Sequence, residues 1–176
     1  MGAFLFIIHP ELYQSGRNVF RKIAEQTSLV QEGRAVLEVL EMWTTPFSGY
    51  SLVSNRETPF HRDNYSRTAW FDFLTTIGTY ASGRLLMPDL DIELQYDSGT
   101  MVALLGKILR HGVTAGKGSR LCIAQFMRDN VHERVGERAP GWAVWGYHPI
   151  AHISGVEFLR PYLDGLLNED PPHEIE

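Results

Sequence analysis

The chain has 176 residues and a mass of 20.0 kDa, enough for one domain with its own core. Hydrophobic residues make up 44% and charged residues 21%, which excludes wholesale disorder. Net charge is −5, but Asp164 to Glu176 supplies five acidic residues and no Lys or Arg. The body is therefore close to neutral and carries no global basic field that would draw in nucleic acid.

The single cysteine, Cys122, excludes a disulfide framework and any CxxC zinc or redox motif. No apolar run approaches the roughly 18 residues needed to span a bilayer. Residues 3–8, AFLFII, lack a basic flank before them and small residues after them, so they read as a buried strand or helix end rather than a signal peptide. The expected setting is intracellular, nuclear or cytoplasmic, with no membrane partner and no secretion. The basic residues are 13 Arg against 3 Lys. Arginine suits bidentate grips on carboxylate or phosphate, although lineage bias explains the count equally well.

In chain order, residues 11–26 and 31–42 carry apolar residues at helical spacing. In the second stretch Val36, Val39, Leu40 and Trp43 fall on one face, which predicts a buried stripe. From residue 49 the texture changes to short apolar runs: GYSLVSN, TAWFDFLTT, GRLLM, DIELQY, TMVALLG, ILRHGV and RLCIAQFM. Turn signals separate many of them, including Ala81-Ser82-Gly83, Met87-Pro88-Asp89 and Asp97-Ser98-Gly99. Such spacing predicts a β-barrel or sandwich, so the fold class is mainly β with flanking helices (α+β). One domain is expected over 1–163, with N-terminal helices in 1–45, a β core over 49–136 and a C-terminal segment over 137–163. Residues 154–167 read as a last helix broken by Pro161, and 164–176 as an acidic tail.

The chemistry concentrates in His61, Asp63 and His111. His61-Arg62-Asp63 is expected at the start of a strand, where alternation points His61 and Asp63 the same way. His111 is expected inside a second, facing strand, and Arg120 opens the next. Two imidazoles and one carboxylate can hold one face of an Fe(II) octahedron, leaving three positions for a bidentate 2-oxo acid and dioxygen. Arg120 can then grip the far carboxylate of 2-oxoglutarate through two parallel hydrogen bonds. On spacing alone the alternative stays open: three surface or core-edge residues that bind no metal.

Three blocks of sequence, NRETPFHRD, YDSGTMVALLGKILRHGV and GSRLCIAQFMRDNVHERVG, resemble the catalytic core of Fe(II)/2-oxoglutarate dioxygenases. Within these the chain is most similar to the TET/JBP group, and to its small fungal-type members. The resemblance runs from about Ser54 to Gly136. It implies a double-stranded β-helix (jelly-roll, cupin-like) core, Fe(II) as cofactor and 2-oxoglutarate as cosubstrate. It also implies hydroxylation of the methyl group of 5-methylcytosine or thymine in nucleic acid. His61, Asp63 and His111 match the family's iron ligands, and Arg120 its cosubstrate-binding arginine. Asn55, Arg56 and Cys122 fall on the cosubstrate side. Phe126 falls where the family rests an aromatic ring against a flipped base, which suits a base pulled from its stack. A plain core aromatic is the equal alternative at that position.

Three positions depart from the DNA-oxidising relatives. Cys122 replaces a hydroxyl residue, Arg128 replaces a His that reads the base, and Ser66 replaces Asn or Asp. All lie in substrate or cosubstrate contacts rather than in the iron triad, so they bear on 5-methylcytosine more than on the chemistry. The competing expectations are a dioxygenase for a small molecule or protein side chain, and a non-catalytic binding module on the same fold. Gly112 to Ser119 reads as a hairpin turn rather than a phosphate loop, because one residue is missing between its glycines and a strand follows. His148 and His152 are separated by Pro149 and read as incidental loop residues. WGYHP (145–149) reads as a cover over the site or a clip for the C-terminal segment.

Overall fold

The computed structural model describes residues 1–27, 33–114 and 116–143. The expected final helix, the WGYHP stretch, His148, His152 and the acidic tail lie outside these. Three helices open the chain: α1 (Gly2–Ile8), α2 (Pro10–Thr27) and α3 (Arg34–Met42). Eight strands follow. These are β1 (Gly49–Ser54), β2 (Thr58–His61), β3 (Asp72–Ala81), β4 (Arg84–Met87), β5 (Ile92–Gln95), β6 (Met101–Leu104), β7 (His111–Val113) and β8 (Lys117–Phe126). A short helix, α4 (Asp129–Arg134), follows β8.

The strands form two antiparallel four-stranded sheets, ordered β1-β8-β3-β6 and β2-β7-β4-β5. β1 pairs with β8, β2 with β7, β3 with β6, and β4 with β5. The chain is thus one long hairpin, closed at β4–β5 and rolled on itself into two sheets. That is a double-stranded β-helix, or jelly roll, as expected. The turns carry their own punctuation. Ser82 and Gly99 both take positive φ (64° and 91°), in two of the three turn signals named from the sequence.

Alternation along β3 divides the core. Phe73 is fully buried on the outer face against Leu5, Leu12, Phe47, Trp70 and Met127, which seats α1 and α2 on the sheet. Phe4 meets Phe73 edge-on, with ring centroids 5.8 Å apart. Asp72 and Thr76 point the other way, into the space between the sheets. There Leu85, Tyr96, Val113 and Cys122 form a second buried cluster.

One local expectation holds in part and another fails. Residues 3–8 belong to α1, where Leu5 and Phe6 are buried while Phe4 and Ile7 are exposed. The stripe on α3 is present but not buried: Val36, Val39 and Met42 are exposed and no residue of α3 is buried. Trp43, just past its end, is packed in. Its indole nitrogen donates to the Phe47 carbonyl at 2.9 Å and its ring lies beside Phe20 and Tyr50. An amphipathic stripe specifies a face that gains from cover; it does not say that these residues provide it.

Candidate active site

His61 is the last residue of β2, not the first of a strand, and His111 is the first of β7. The two strands are neighbours in one sheet rather than facing strands. His61 and His111 are register partners, and their ring centroids lie 4.3 Å apart. Asp63 reaches them from the loop beyond β2. Its position owes nothing to strand alternation: its N–H donates to the Gly106 carbonyl at 2.9 Å, which folds the loop back.

The outside of the same loop is pinned. Arg62, between the two candidate ligands, donates to the Ile108 carbonyl at 2.7 Å and pairs with Asp89 at 2.6 Å. Asp89 also accepts from the Arg110 N–H at 3.0 Å, immediately before His111. That backbone bond, then Arg62, holds the Asp89 carboxyl below the usual carboxylate range. One aspartate therefore ties together the two chain segments that carry the cluster.

The donor set fits a metal. His61 Nδ1 bonds to the Pro59 carbonyl at 2.9 Å and His111 Nδ1 to the Leu109 carbonyl at 3.0 Å. A backbone acceptor fixes Nδ1 as the protonated nitrogen in each ring and leaves Nε2 with its lone pair free. Both Nε2 atoms face Asp63: His61 Nε2 lies 3.7 Å from one carboxylate oxygen and His111 Nε2 3.7 Å from the other. One ligand atom from each of the three residues falls within 4.8 Å of the others. Burial pushes the His111 pKa down, which favours the neutral, ligating form.

Arg120 is buried in β8 and held by a clip. The Asn55 carboxamide accepts from the Arg120 N–H at 2.6 Å, and the Asn55 N–H donates to the Arg120 carbonyl at 2.9 Å. Asn55 manages both bonds in a left-handed turn, at φ 48°. The Arg120 guanidinium donates to the Arg56 carbonyl and lies 5.9 Å from the centre of the Tyr96 ring. It forms no ion pair with a carboxylate among the described residues. Arg56 itself is exposed, so its defined contact here is its backbone carbonyl. Cys122 is buried two residues along β8, with its sulfur 3.4 Å from the Tyr96 hydroxyl.

Phe126 ends β8. The Arg128 guanidinium lies over its ring, 4.1 Å from the centroid, and 5.3 Å from that of Tyr65. Gly49 stands opposite Phe126, and a side chain there would overlap the ring. Ser66 is buried, with its hydroxyl beside the Asp72 carboxyl.

Sequence reasoning missed two residues. Gly106 lies between two carboxylates, and a Cβ there would overlap both Asp63 and Asp72. Asp72 is 4% exposed. Burial first, and the adjacent Asp63 carboxylate second, push its pKa up to about 8. The signal was available: in WFDF, strand alternation puts the one polar side chain inward.

Several solved structures resemble parts of the chain. An RmlC-like cupin protein from Desulfovibrio desulfuricans is 17% identical, with a TM-score of 0.32 over 44% of this chain and 71% of that one. A cupin-2 domain protein from Shewanella frigidimarina is 18% identical, with a TM-score of 0.30 over 43% and 66%. Hydroxypropylphosphonic acid epoxidase from S. wedmorenis is 18% identical, with a TM-score of 0.33 over 44% and 42%. No curated protein matches. Among the described residues no helix is long and apolar enough to cross a membrane. Residues 1–129 match the Tet_JBP family model, the oxygenase domain of the 2OGFeDO superfamily. The chain belongs to that TET/JBP family and is a dioxygenase that uses Fe(II) and 2-oxoglutarate.

Proposed function

We propose that this dioxygenase hydroxylates the methyl group of a pyrimidine base, 5-methylcytosine or thymine, in nucleic acid. His61, Asp63 and His111 hold the iron through two Nε2 atoms and one carboxylate oxygen. Arg120 takes the distal carboxylate of 2-oxoglutarate, a charge for which it has no partner among the described carboxylates. The Asn55 clip and the Arg56 carbonyl keep its guanidinium in place. With 2-oxoglutarate and dioxygen, the bound iron supplies the oxidant that turns C–H into C–OH, with succinate and CO2 as coproducts.

The observation that carries the substrate class is the stack of Arg128 on Phe126. Strand alternation from Arg120 puts Phe126 on the same face of β8 as the cosubstrate arginine. A flat guanidinium on a flat ring is a platform for another flat group, and a flipped base is such a group. The near-neutral body argues for modest affinity for the backbone, with recognition concentrated in the site.

The test is succinate release by the full chain with Fe(II), ascorbate and 2-oxoglutarate, with and without an oligonucleotide carrying 5-methylcytosine or thymine. Succinate that rises with the oligonucleotide, together with a gain of one oxygen by mass, is the expected result. Succinate with no change in either oligonucleotide overturns the nucleobase reading and leaves a small molecule or protein side chain as substrate. No succinate from iron-loaded protein points instead to a binding module.

A further inference from the structure

An uncovered sheet edge presents a row of unused N–H and C=O groups, and soluble proteins blunt such edges with charge, proline, bulges or brevity. Of the four edges here, three follow that rule. β2 carries Pro59 and an irregular register against β7. β5 has four residues, Glu93 among them, and β6 also stops at four. β1 does none of this. It runs six residues, GYSLVS, without charge or proline, and keeps continuous register with β8 from Gly49 to Ser54. Among the described residues no strand and no backbone hydrogen bond reaches its other side. Val53 packs inward on the cluster around Cys122, so alternation turns Tyr50 and Leu52 outward, where they are 52% and 59% exposed. The Trp43 ring beside Tyr50 joins this edge to α3, whose Val36, Val39 and Met42 are exposed as well. An open edge and an uncovered helix stripe thus lie side by side.

We propose that β1 pairs with β1 of a second copy of this chain, antiparallel across a twofold axis, so that two four-stranded sheets become one of eight. A twofold axis brings identical strands together in opposite directions, which is antiparallel pairing. It also keeps the faces matched. A register centred on Ser51 sets Tyr50 opposite the partner's Leu52, and one centred on Leu52 sets Leu52 opposite the partner's Leu52. In either, outward side chains meet outward side chains, and the apolar row continues across the junction. Charge points to the same occupant. Gly49 to Ser54 hold no charge for an acidic or basic peptide to meet, whereas a second β1 is as neutral as the first. Because Trp43 packs on the outward Tyr50, both α3 helices come to the outer side of the joined sheet. Five apolar side chains per copy, each between 44% and 74% exposed, then leave water together. With the backbone of a six-residue edge, they are the material of a standard interface of about 800 Å² per partner.

Sedimentation velocity of the full chain over a range of concentrations reads the mass. The expected result is a dimer of twice the 20.0 kDa chain that dissociates on dilution. Leu52→Lys sets two ammonium groups against each other near the axis, and is expected to raise the dissociation constant about a hundredfold. Val39→Glu, on α3 and outside the sheet, is expected to weaken the dimer with the fold intact, and serves if L52K does not fold. Cross-linking locates the axis. In Ser51→Cys or Leu52→Cys, a residue on the twofold faces its own copy at strand spacing, within reach of a disulfide. Cys122, the one native thiol, is buried. One of the two variants is expected to link into dimers on oxidation, and Glu93→Cys, on the β5 edge, is not. A monomer at every concentration overturns the proposal and leaves the edge to a different partner. A dimer that survives both L52K and V39E, or that links through position 93 and not through 51 or 52, overturns it by placing the interface elsewhere.

Discussion

The imidazole of His61 lies directly across from that of His111, and each ring gives its Nδ1 hydrogen to the carbonyl two residues earlier in the chain. Each ring finds its acceptor locally, Pro59 within β2 and Leu109 in the turn that leads into β7. Both Nε2 atoms are thereby aimed at Asp63 before any metal arrives. Alanine at His61, Asp63 or His111 is expected to abolish succinate formation, as a three-ligand site has no spare donor. Full turnover in any one variant would refute the assignment.

Gly106→Ala tests the back of the site. The added methyl group would overlap the Asp63 and Asp72 carboxylates, so Asp63 has to turn away from the two imidazoles. Mn(II) or Fe(II) affinity is expected to fall about tenfold or more, the loss typical of displaced supporting groups around a metal. Calorimetric titration checks it, and unchanged affinity would show that the loop absorbs a side chain there.

Arg120→Lys tests the cosubstrate. Lysine keeps the charge but loses the planar fork that makes two parallel bonds to a carboxylate. One charge-assisted bond is worth about 1.5–3 kcal/mol, so KM for 2-oxoglutarate is expected to rise roughly ten- to hundredfold. The metal affinity of the same variant should be unaltered.

Much of this arrangement is legible in the sequence. The turn signals mark most of the strands, and Arg120, Cys122 and Phe126 are spaced for one face of β8. The rest depends on tertiary contacts. The return of Asp63 to its imidazoles is made by Gly106, which lies over forty residues downstream. Asp89 joins Arg62 to Arg110 across a similar gap. Spacing cannot report either bond. The short helix α4 was also missed, since a six-residue segment contains too few turns for its period to stand out.

Acid should unfold the protein through two histidines outside the site. His9 is fully buried; its Nε2 bonds to the Gly141 carbonyl at 3.0 Å while Nδ1 accepts from the Leu12 N–H at 3.3 Å. A second proton would meet that N–H. His132 is buried against Trp70, with Nε2 unpaired. Burial lowers both pKa values in the fold. Above the ordinary imidazole value of about 6.5 neither state is protonated and stability is full. Below it the unfolded chain takes up protons that the fold refuses, so stability falls as pH drops. The thermal midpoint is expected to decline from pH 6.5 downward, and His9→Gln should flatten that slope.

Asp72 gives the opposite slope in metal-free protein. Its folded pKa of about 8 lies above the unfolded value of 3.8. Between the two, the unfolded chain has released a proton that the fold retains, so stability is fully present below the lower value and lost as pH rises toward the higher. Asp72→Asn removes this dependence. Its thermal midpoint is expected to exceed that of wild type by roughly 3 °C or more at pH 8. The gap should shrink as pH falls to 5. Equal midpoints at both pH values would show that the carboxyl is not strained in the fold.

The rolled hairpin has a consequence for how the enzyme comes to exist. β1 is completed only by β8, so Gly49 waits for Phe126, and β2 waits for β7. Pairings of such long reach form slowly, since distant segments must meet before any contact repays the lost freedom of the chain. A nascent chain that has emerged only as far as β6 contains His61 and Asp63 but not His111 or Arg120. It can neither complete a three-ligand iron site nor anchor the 2-oxo acid. The order of synthesis thus keeps redox-active iron away from a half-made catalyst, and competence arrives with the last strand.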